Sequence, residues 1–274
     1  MKVLIASYSF HGLLAQEGMD VFGFLESCKY RYGLDAVEIW NGTLRGRMDK
    51  DFLGAVRRGL RERDLTLANL CVDGAHLWED QPEARERNYR SALAYLEAGE
   101  ILGAQSVRID MGGKGTELTA EQFDYVVQRY REYARRAGDG GYRVGPETHW
   151  GPSLTVAVQK KVHDAVDHPA YGVLLHVGHW NGGDAEAKVG DPMLAPWAMH
   201  THVDARITST CLDEKLRVLR DARYAGWFGV EHHSGANEYR EVEWQLAMLR
   251  RALSGMELEA AQAACATPRK QGDR

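Results

Sequence analysis

The sequence predicts a single eight-stranded parallel β/α barrel (α/β class), and three observations carry that prediction. Short apolar segments at residues 2–9, 36–40, 65–73, 104–110, 142–148, 171–177, 198–204 and 226–232 alternate with longer stretches of helical periodicity. Eight such segments in 274 residues leave about 34 residues each, the size of one strand-plus-helix unit. No Pro- or Ser-rich linker divides the chain, and the turn Ser7-Tyr8-Ser9-Phe10-His11-Gly12 lacks the glycines of a doubly wound nucleotide-binding sheet.

The elements follow in order. The chain opens directly as a strand, without the apolar core and cleavage site of a signal peptide, which sets the expectation of a cytoplasmic protein. Helix 51–63 spaces Phe52, Leu53, Val56 and Leu60 along one face, with Arg57, Arg58, Arg61 and Arg63 among its polar positions. Helix 82–102 carries Tyr89, Leu93, Tyr95, Leu96 and Ile101 and stops at Gly103, the residue type that best adopts a left-handed helix end. Helix 119–137 starts with Thr119-Ala120-Glu121-Gln122, a reciprocal capping pattern, and spaces Phe123, Val126, Val127 and Tyr130 helically. A shorter helical stretch covers 184–196, another covers 212–224 before the Gly226 turn, and 237–253 runs through Val242, Leu246 and Leu249. The barrel is thereby assigned to residues 1–253. Residues 254–274, rich in Ala, Gln and charge, are expected to form a partly helical, frayed extension.

Composition excludes several function classes. Lys and Arg total 34 against 39 Asp and Glu, a formal charge of −5, so the clustered positive charge that grips nucleic acid is missing. No apolar run approaches the ~18–20 residues of a membrane span. Cys28, Cys71, Cys211 and Cys265 form no paired zinc spacing and read as reduced thiols.

In a parallel barrel the chemistry sits at the C-terminal ends of the strands. Those ends carry Ser7 and Ser9; Glu38 and Trp40; Asp73, with His76 just beyond; Arg108 and Asp110; Glu147, His149 and Trp150; His176 and His179; His200, His202, Asp204 and Arg206; and Glu231, His232 and His233. With His11 in the first loop, only His163 and His168 among the eleven histidines fall away from these ends, which argues against a scatter of surface imidazoles. Period-two alternation places Glu147 with His149, His200 and His202 with Asp204, and Glu231 with His233, while Leu175, Val203 and Val230 face the helices. Carboxylates and imidazoles converging from strands five to eight are a divalent-metal donor set, and Glu147, His176, His202 and Glu231 are its proposed ligands. Two anionic oxygens and two imidazole nitrogens suit Mn²⁺, Co²⁺, Fe²⁺ or Zn²⁺ better than Ca²⁺; one divalent ion is expected, Mn²⁺ first with Co²⁺, Mg²⁺, Fe²⁺ or Zn²⁺ as alternatives, and no organic cofactor. His200 is the fallback for His202.

This order resembles the xylose isomerase-like barrels, the superfamily of sugar phosphate isomerases/epimerases, ketose 3-epimerases, inosose dehydratases and endonuclease IV. Glu147-Thr148-His149-Trp150-Gly151 and Gly229-Val230-Glu231-His232-His233 resemble its fifth- and eighth-strand signatures, and the likeness covers about residues 1–253. Where the family has Leu-Asp-x-x-His, this chain has Leu175-His176-Val177-Gly178-His179. His176 then either ligates with one less negative charge or cedes its place to water, and His179 carries over as a substrate-contacting residue.

The resemblance implies a divalent-metal-dependent isomerase or epimerase acting on a sugar or keto-sugar by proton transfer α to a carbonyl, through a metal-stabilised enediolate. The alternative is a lyase on the same scaffold, either a dehydratase or a C-glycoside deglycosidase-like elimination from a 3-keto sugar. A DNA-repair endonuclease is opposed by the negative charge, and a sugar-binding barrel without activity is the non-enzymatic alternative. Glu147, Glu231, His149 and His179 are the candidate acid–base residues. Glu38, Trp40, Asp73, His76, Arg108, Asp110, Trp150, His200, Arg206 and His233 are candidate substrate contacts. Gly112-Gly113-Lys114-Gly115 is the one candidate phosphate contact. Expected partners are a carbohydrate, no nucleic acid and no membrane. Copies of such barrels often pair, here through 51–63 or the tail, and a deglycosidase-like chain would join a hetero-oligomer.

Overall fold

The computed structural model describes residues 2–266. Eight strands follow the predicted order: β1 (Val3–Ile5), β2 (Ala36–Trp40), β3 (Thr66–Val72), β4 (Ser106–Ile109), β5 (Arg143–Gly145), β6 (Val173–His176), β7 (Ala198–Val203) and β8 (Phe228–Val230). The α-helices are α1 (His11–Ala15), α2 (Val21–Glu26), α3 (Lys50–Glu62), α4 (Pro82–Leu102), α5 (Ala120–Gly140), α6 (Val156–Val166), α7 (Gly183–Leu194), α8 (Ala205–Thr210), α9 (Leu212–Asp221) and α10 (Glu238–Ala266). None of them is long and apolar enough to cross a membrane.

All strand pairs are parallel. They form two four-strand arcs, β2-β3-β4-β5 and β6-β7-β8-β1. Single bridges join the arcs, Ala6 with Glu38 on one side, and Val144 with Tyr171 and Glu147 with Leu174 on the other. The strands therefore run in chain order around a TIM-barrel ring. At the β5/β6 seam a Cβ on Gly145 would lie 1.7 Å from the Gly172 carbonyl oxygen, so only glycine permits that approach. The Thr148 hydroxyl completes the seam, accepting from the His176 amide at 2.9 Å and lying 3.2 Å from its carbonyl.

Several elements differ from expectation for local reasons. The strand expected over 2–9 ends early and coils into a 3₁₀ turn, Ser7–Phe10. Ser7 Oγ accepts the Trp40 amide at 2.8 Å and Ser9 Oγ accepts that of His232 at 2.9 Å, so side chains replace the ladder. Helix α6 has no counterpart in the sequence reading. Its valines favour strands locally, but Val156, Val162 and Val166 recur at helical spacing and are buried. The last helix passes through 254–266 without a break, and residues 267–274 of the expected extension lie outside the described residues. The predicted cap of α5 forms in both directions, Thr119 with Gln122, and Gly103 ends α4 at φ +77°. Helix α3 buries Phe52, Leu53, Val56 and Leu60, the face read from its spacing, against the outer side of the strands.

Candidate metal and acid–base site

The site is built in layers at the C-terminal ends of the strands. The lowest layer is a fully buried carboxylate, Glu38, from β2. His202 Nε2 donates to its two oxygens at 2.9 and 3.0 Å, and Asn69 Nδ2 donates to Oε2 at 2.9 Å. His200 Nε2 lies 3.0 Å away without hydrogen-bond alignment. Gly229 makes room for that ring, since a Cβ there would lie 3.2 Å from His200 Nε2 and 2.7 Å from the Thr201 carbonyl oxygen.

Above this floor Glu147, His176, His202 and Glu231 converge, all buried. The β6–β7 register sets His176 level with His202, while Glu147 bridges Leu174 two residues below His176 and Glu231 follows two residues beyond Gly229, the partner of His202, so the two carboxylates reach the imidazole pair from below and above. Glu147 Oε1 lies 3.2 Å from His176 Nδ1 and 3.1 Å from His202 Nδ1. Glu231 Oε2 lies 3.4 and 3.2 Å from the same two nitrogens. An ion at bond lengths of roughly 2.1 Å has ligand–ligand edges of about 3.0 Å when octahedral and about 3.4 Å when tetrahedral. The four edges match that range, so these residues fit a divalent cation. On their outer sides Glu147 Oε2 lies 3.1 Å from Arg108 Nε and His176 Nε2 lies 3.7 Å from Asp204 Oδ2, which leaves Oε1 and Nδ1 turned toward the centre.

The electrostatics support this fit. Burial pushes the Glu147 carboxyl up, but the nearby His202, His149 and Arg108 charges hold it well below the ordinary range. Burial likewise opposes protonation of His202, yet Glu231, Glu38 and Glu147 hold it well above the usual imidazole value. His176 behaves similarly, with Asp204, Glu147 and Glu231 outweighing burial and raising it to about 9. Facing carboxylates thus hold protons on the imidazoles, and a bound cation would supply that positive charge directly and release them.

Over the quartet lies a cavity of about 330 Å³, walled by Tyr8, Trp40, Cys71, Asp73, Arg108, His149, His176, His179, Glu231 and His233. His149 Nδ1 lies 2.9 Å from Asp110 Oδ2, which also accepts from Trp150 Nε1 at 3.2 Å. His179 Nδ1 is buried without a partner, and burial together with His176 lowers this imidazole to about 4. Its turn is held by Asp191 Oδ1, which accepts from the Gly178 amide at 3.1 Å and Trp180 Nε1 at 2.7 Å. His233 Nε2 donates to Glu231 Oε2 at 2.8 Å.

The structure gathers Glu147, His176, His202, Glu231, His149, His179, Trp40, Asp73, Arg108 and His233 around one space. Glu38 and His200, expected as substrate contacts, are 0% and 1% exposed and lie beneath the quartet, outside the cavity wall; Glu38 meets His202 directly, and His200 lies against Glu38. Asp110 and Trp150 stand behind His149 rather than in the cavity wall. His76 turns to Glu79 at 2.6 Å, and Arg206 donates to the Gly178 carbonyl at 2.9 Å, so neither faces the cavity. Sequence reading missed Tyr8, Cys71 and Asn69. Alternation offered a signal for the last two, which share the inward face of β3 with Asp73, whereas Tyr8 falls in the unforeseen 3₁₀ turn.

The chain resembles solved structures of low identity across nearly its full length. The probable 3-DHS dehydratase AsbF of Bacillus anthracis shares 16% identity at a TM-score of 0.73, covering 91% of this chain and 99% of that one. A D-psicose 3-epimerase from Clostridium cellulolyticum H10 shares 16% at 0.72, covering 94% and 99%. The 3-keto-D-glucoside 4-epimerase YcjR of E. coli shares 16% at 0.70, covering 85% and 94%. No curated protein matches the chain in sequence. The model of one family, described as the xylose isomerase-like TIM barrel, matches residues 30–252, and the chain belongs to that family.

Proposed function

We propose that this protein is a divalent-metal-dependent isomerase or epimerase that moves a proton at the carbon next to the carbonyl of a sugar or keto-sugar. The observation that carries this reading is the square of two carboxylate oxygens and two imidazole nitrogens with edges of 3.1–3.4 Å beneath a cavity of about 330 Å³. A cation bound there supplies Lewis-acid stabilisation of the negative charge that builds on the substrate oxygens. Glu147, His176, His202 and Glu231 would hold it. His149, its Nδ1 committed to Asp110, keeps Nε2 uncommitted for proton transfer. His179, set three residues beyond His176, offers an uncharged imidazole at neutral pH. The two are raised and lowered by different surroundings, Glu147 and Asp110 against burial for one, burial and His176 for the other, as acid and base partners require. Sugar epimerases among the similar structures support the substrate class.

A lyase is the second reading. It is favoured by the His149–Asp110 pair, which would protonate a departing hydroxyl, and by likeness to the structure of a probable 3-DHS dehydratase. Metal analysis of purified protein, followed by incubation with ketoses and 3-keto sugars in D₂O, tests both readings. Deuterium at the α-carbon without loss of water is the expected result, with His149→Gln reducing it by roughly 10²–10⁴-fold. Loss of water or aglycone would establish the lyase, and full turnover in Glu147→Gln would refute the assigned ligand.

A further inference from the structure

The glycine run 112–115, the candidate phosphate contact in the sequence, is packed against protein. A Cβ on Gly112 would lie 2.4 Å from the Trp78 carbonyl oxygen, one on Gly113 would lie 3.3 Å from the Pro152 ring, and Lys114 pairs with Asp80 at 2.8 Å. Unanswered positive charge lies instead at the opposite, N-terminal mouth of the barrel. A separate cavity of about 250 Å³ opens there at the starts of β5, β7 and β8, with Arg143, Ala198, Met199, Arg223, Tyr224 and Gly226 in its wall. Among the described residues that wall contains no carboxylate side chain.

Arg143, the first residue of β5, is partly buried and lies across Gly172, where a Cβ would fall 2.6 Å from its Nη2 and 2.8 Å from its Cζ. Its Nη1 donates to the Ala198 carbonyl at 3.0 Å, and Nη2 donates to the Tyr171 and Trp197 carbonyls, each at 3.1 Å. Those acceptors orient the guanidinium but carry no charge. Among the described residues one Nη1 hydrogen and the buried Nε have no acceptor. The titratable side chains close to Arg143 are Tyr224 and His163, neither of them an acid ionised at neutral pH. Two further cations stand beside it. Arg223, at φ +58°, makes no side-chain hydrogen bond or ion pair among the described residues. Lys2 Nζ uses one hydrogen on the carbonyl of Ala225, in the same wall, at 2.8 Å. Asp221, the acid nearest to Arg223 along the chain, is held by Arg220 at 2.9 Å. A partly buried guanidinium without a counter-charge is costly, an entering oxyanion offsets that cost, and several cations around one hollow favour a doubly charged anion.

We propose that this hollow binds a small phosphate or phosphate monoester, gripped by Arg143 and Arg223 with Lys2 at the rim, at the end of the barrel away from the quartet. Its volume is roughly eight times that of a water in the liquid, room for a phosphate group with a short organic stem. The inference is independent of the proposed function. The test uses the full chain, metal-free, in chloride buffer of fixed ionic strength. Inorganic phosphate and glycerol 3-phosphate are titrated calorimetrically, with glycerol as the uncharged control, and crystals are soaked in the ester. Both phosphates are expected to bind and glycerol is not, with phosphate density against Arg143 Nη1. Arg143→Gln is expected to weaken binding at least tenfold and Arg223→Asn at least threefold. Asparagine tolerates the left-handed backbone at 223, and Arg223 holds nothing else in the fold, so this variant decides the matter if Arg143→Gln fails to fold. Tighter binding of the ester would mark a phosphorylated small molecule as the occupant and equal binding a free phosphate, either supporting the site. Absence of binding, equal affinity in wild type and Arg223→Asn, or density only at the quartet would overturn it.

Discussion

Glu38→Gln isolates the role of a carboxylate that touches nothing in the cavity. The wild-type carboxylate receives the His202 Nε2 proton at 2.9 and 3.0 Å and the Asn69 amide at 2.9 Å. Burial opposes its charge, but His202 and His200 outweigh that and lower its pKa to about 2. Glutamine keeps the shape and one acceptor, but it turns an N–H₂ group toward donors. One charge-assisted hydrogen bond is lost, worth about 1.5–3 kcal/mol, and a donor faces a donor. Without its anionic partner His202 no longer holds its proton on Nε2, and Nδ1, the nitrogen facing Glu147 and Glu231, ceases to be a reliable free donor atom. Divalent-ion affinity is expected to fall by roughly 10–100-fold, the usual cost of losing such a support. Competition against a chromophoric chelator measures this, and urea unfolding in chelator should show a loss of about 1.5–3 kcal/mol. Affinity within twofold of wild type, with an unchanged unfolding midpoint, would refute the idea that Glu38 sets the His202 tautomer.

Three further outcomes follow from the geometry. His149 is raised to about 8 because Glu147 and Asp110 outweigh burial, so its contribution to stability in metal-free protein is complete below about pH 6.5 and is lost as pH rises through 8; the gap in Tm between wild type and His149→Gln should close between pH 6 and 9, and a constant gap would contradict the pairing. Lys215→Met leaves Asp191, 1% exposed, without the ammonium 2.9 Å away; a loss of about 3–5 kcal/mol is expected in urea unfolding, and one below about 1 kcal/mol would show the pair to be unimportant. Gly145→Ala forces a methyl toward the Gly172 carbonyl, 1.7 Å from the ideal Cβ position, where no flexible side chain can yield; a loss of about 3 kcal/mol or more is expected, and near-wild-type stability would show that the β5/β6 seam can open.

The eight-strand order and the inward-facing positions of Glu147, His176, His202 and Glu231 were legible in the sequence because they depend on local pattern. Alternation with period two states which face of a strand a side chain takes, and parallel β/α order states which end meets the cavity. Neither states depth. Glu38 and Trp40 share a face of β2, yet Trp40 reaches the cavity while Glu38 lies under it. His200 and His202 likewise share a face of β7, yet His202 joins the quartet while His200 lies below it against Glu38. Depth follows from the stagger of neighbouring strands, and that stagger includes register shifts at Val37/Glu38 and Val173/Leu174 that no single strand encodes. Two of the three carboxylate partners of Arg108 are equally non-local, since Asp73 and Glu147 arrive from the ends of the two neighbouring strands, while Asp110 lies two residues along its own. Residue types and strand order belong to the sequence by itself; which acid lies deep, which one faces the centre of the quartet and which charges stand side by side were decided only by the tertiary structure, because these are distances between segments far apart in the chain.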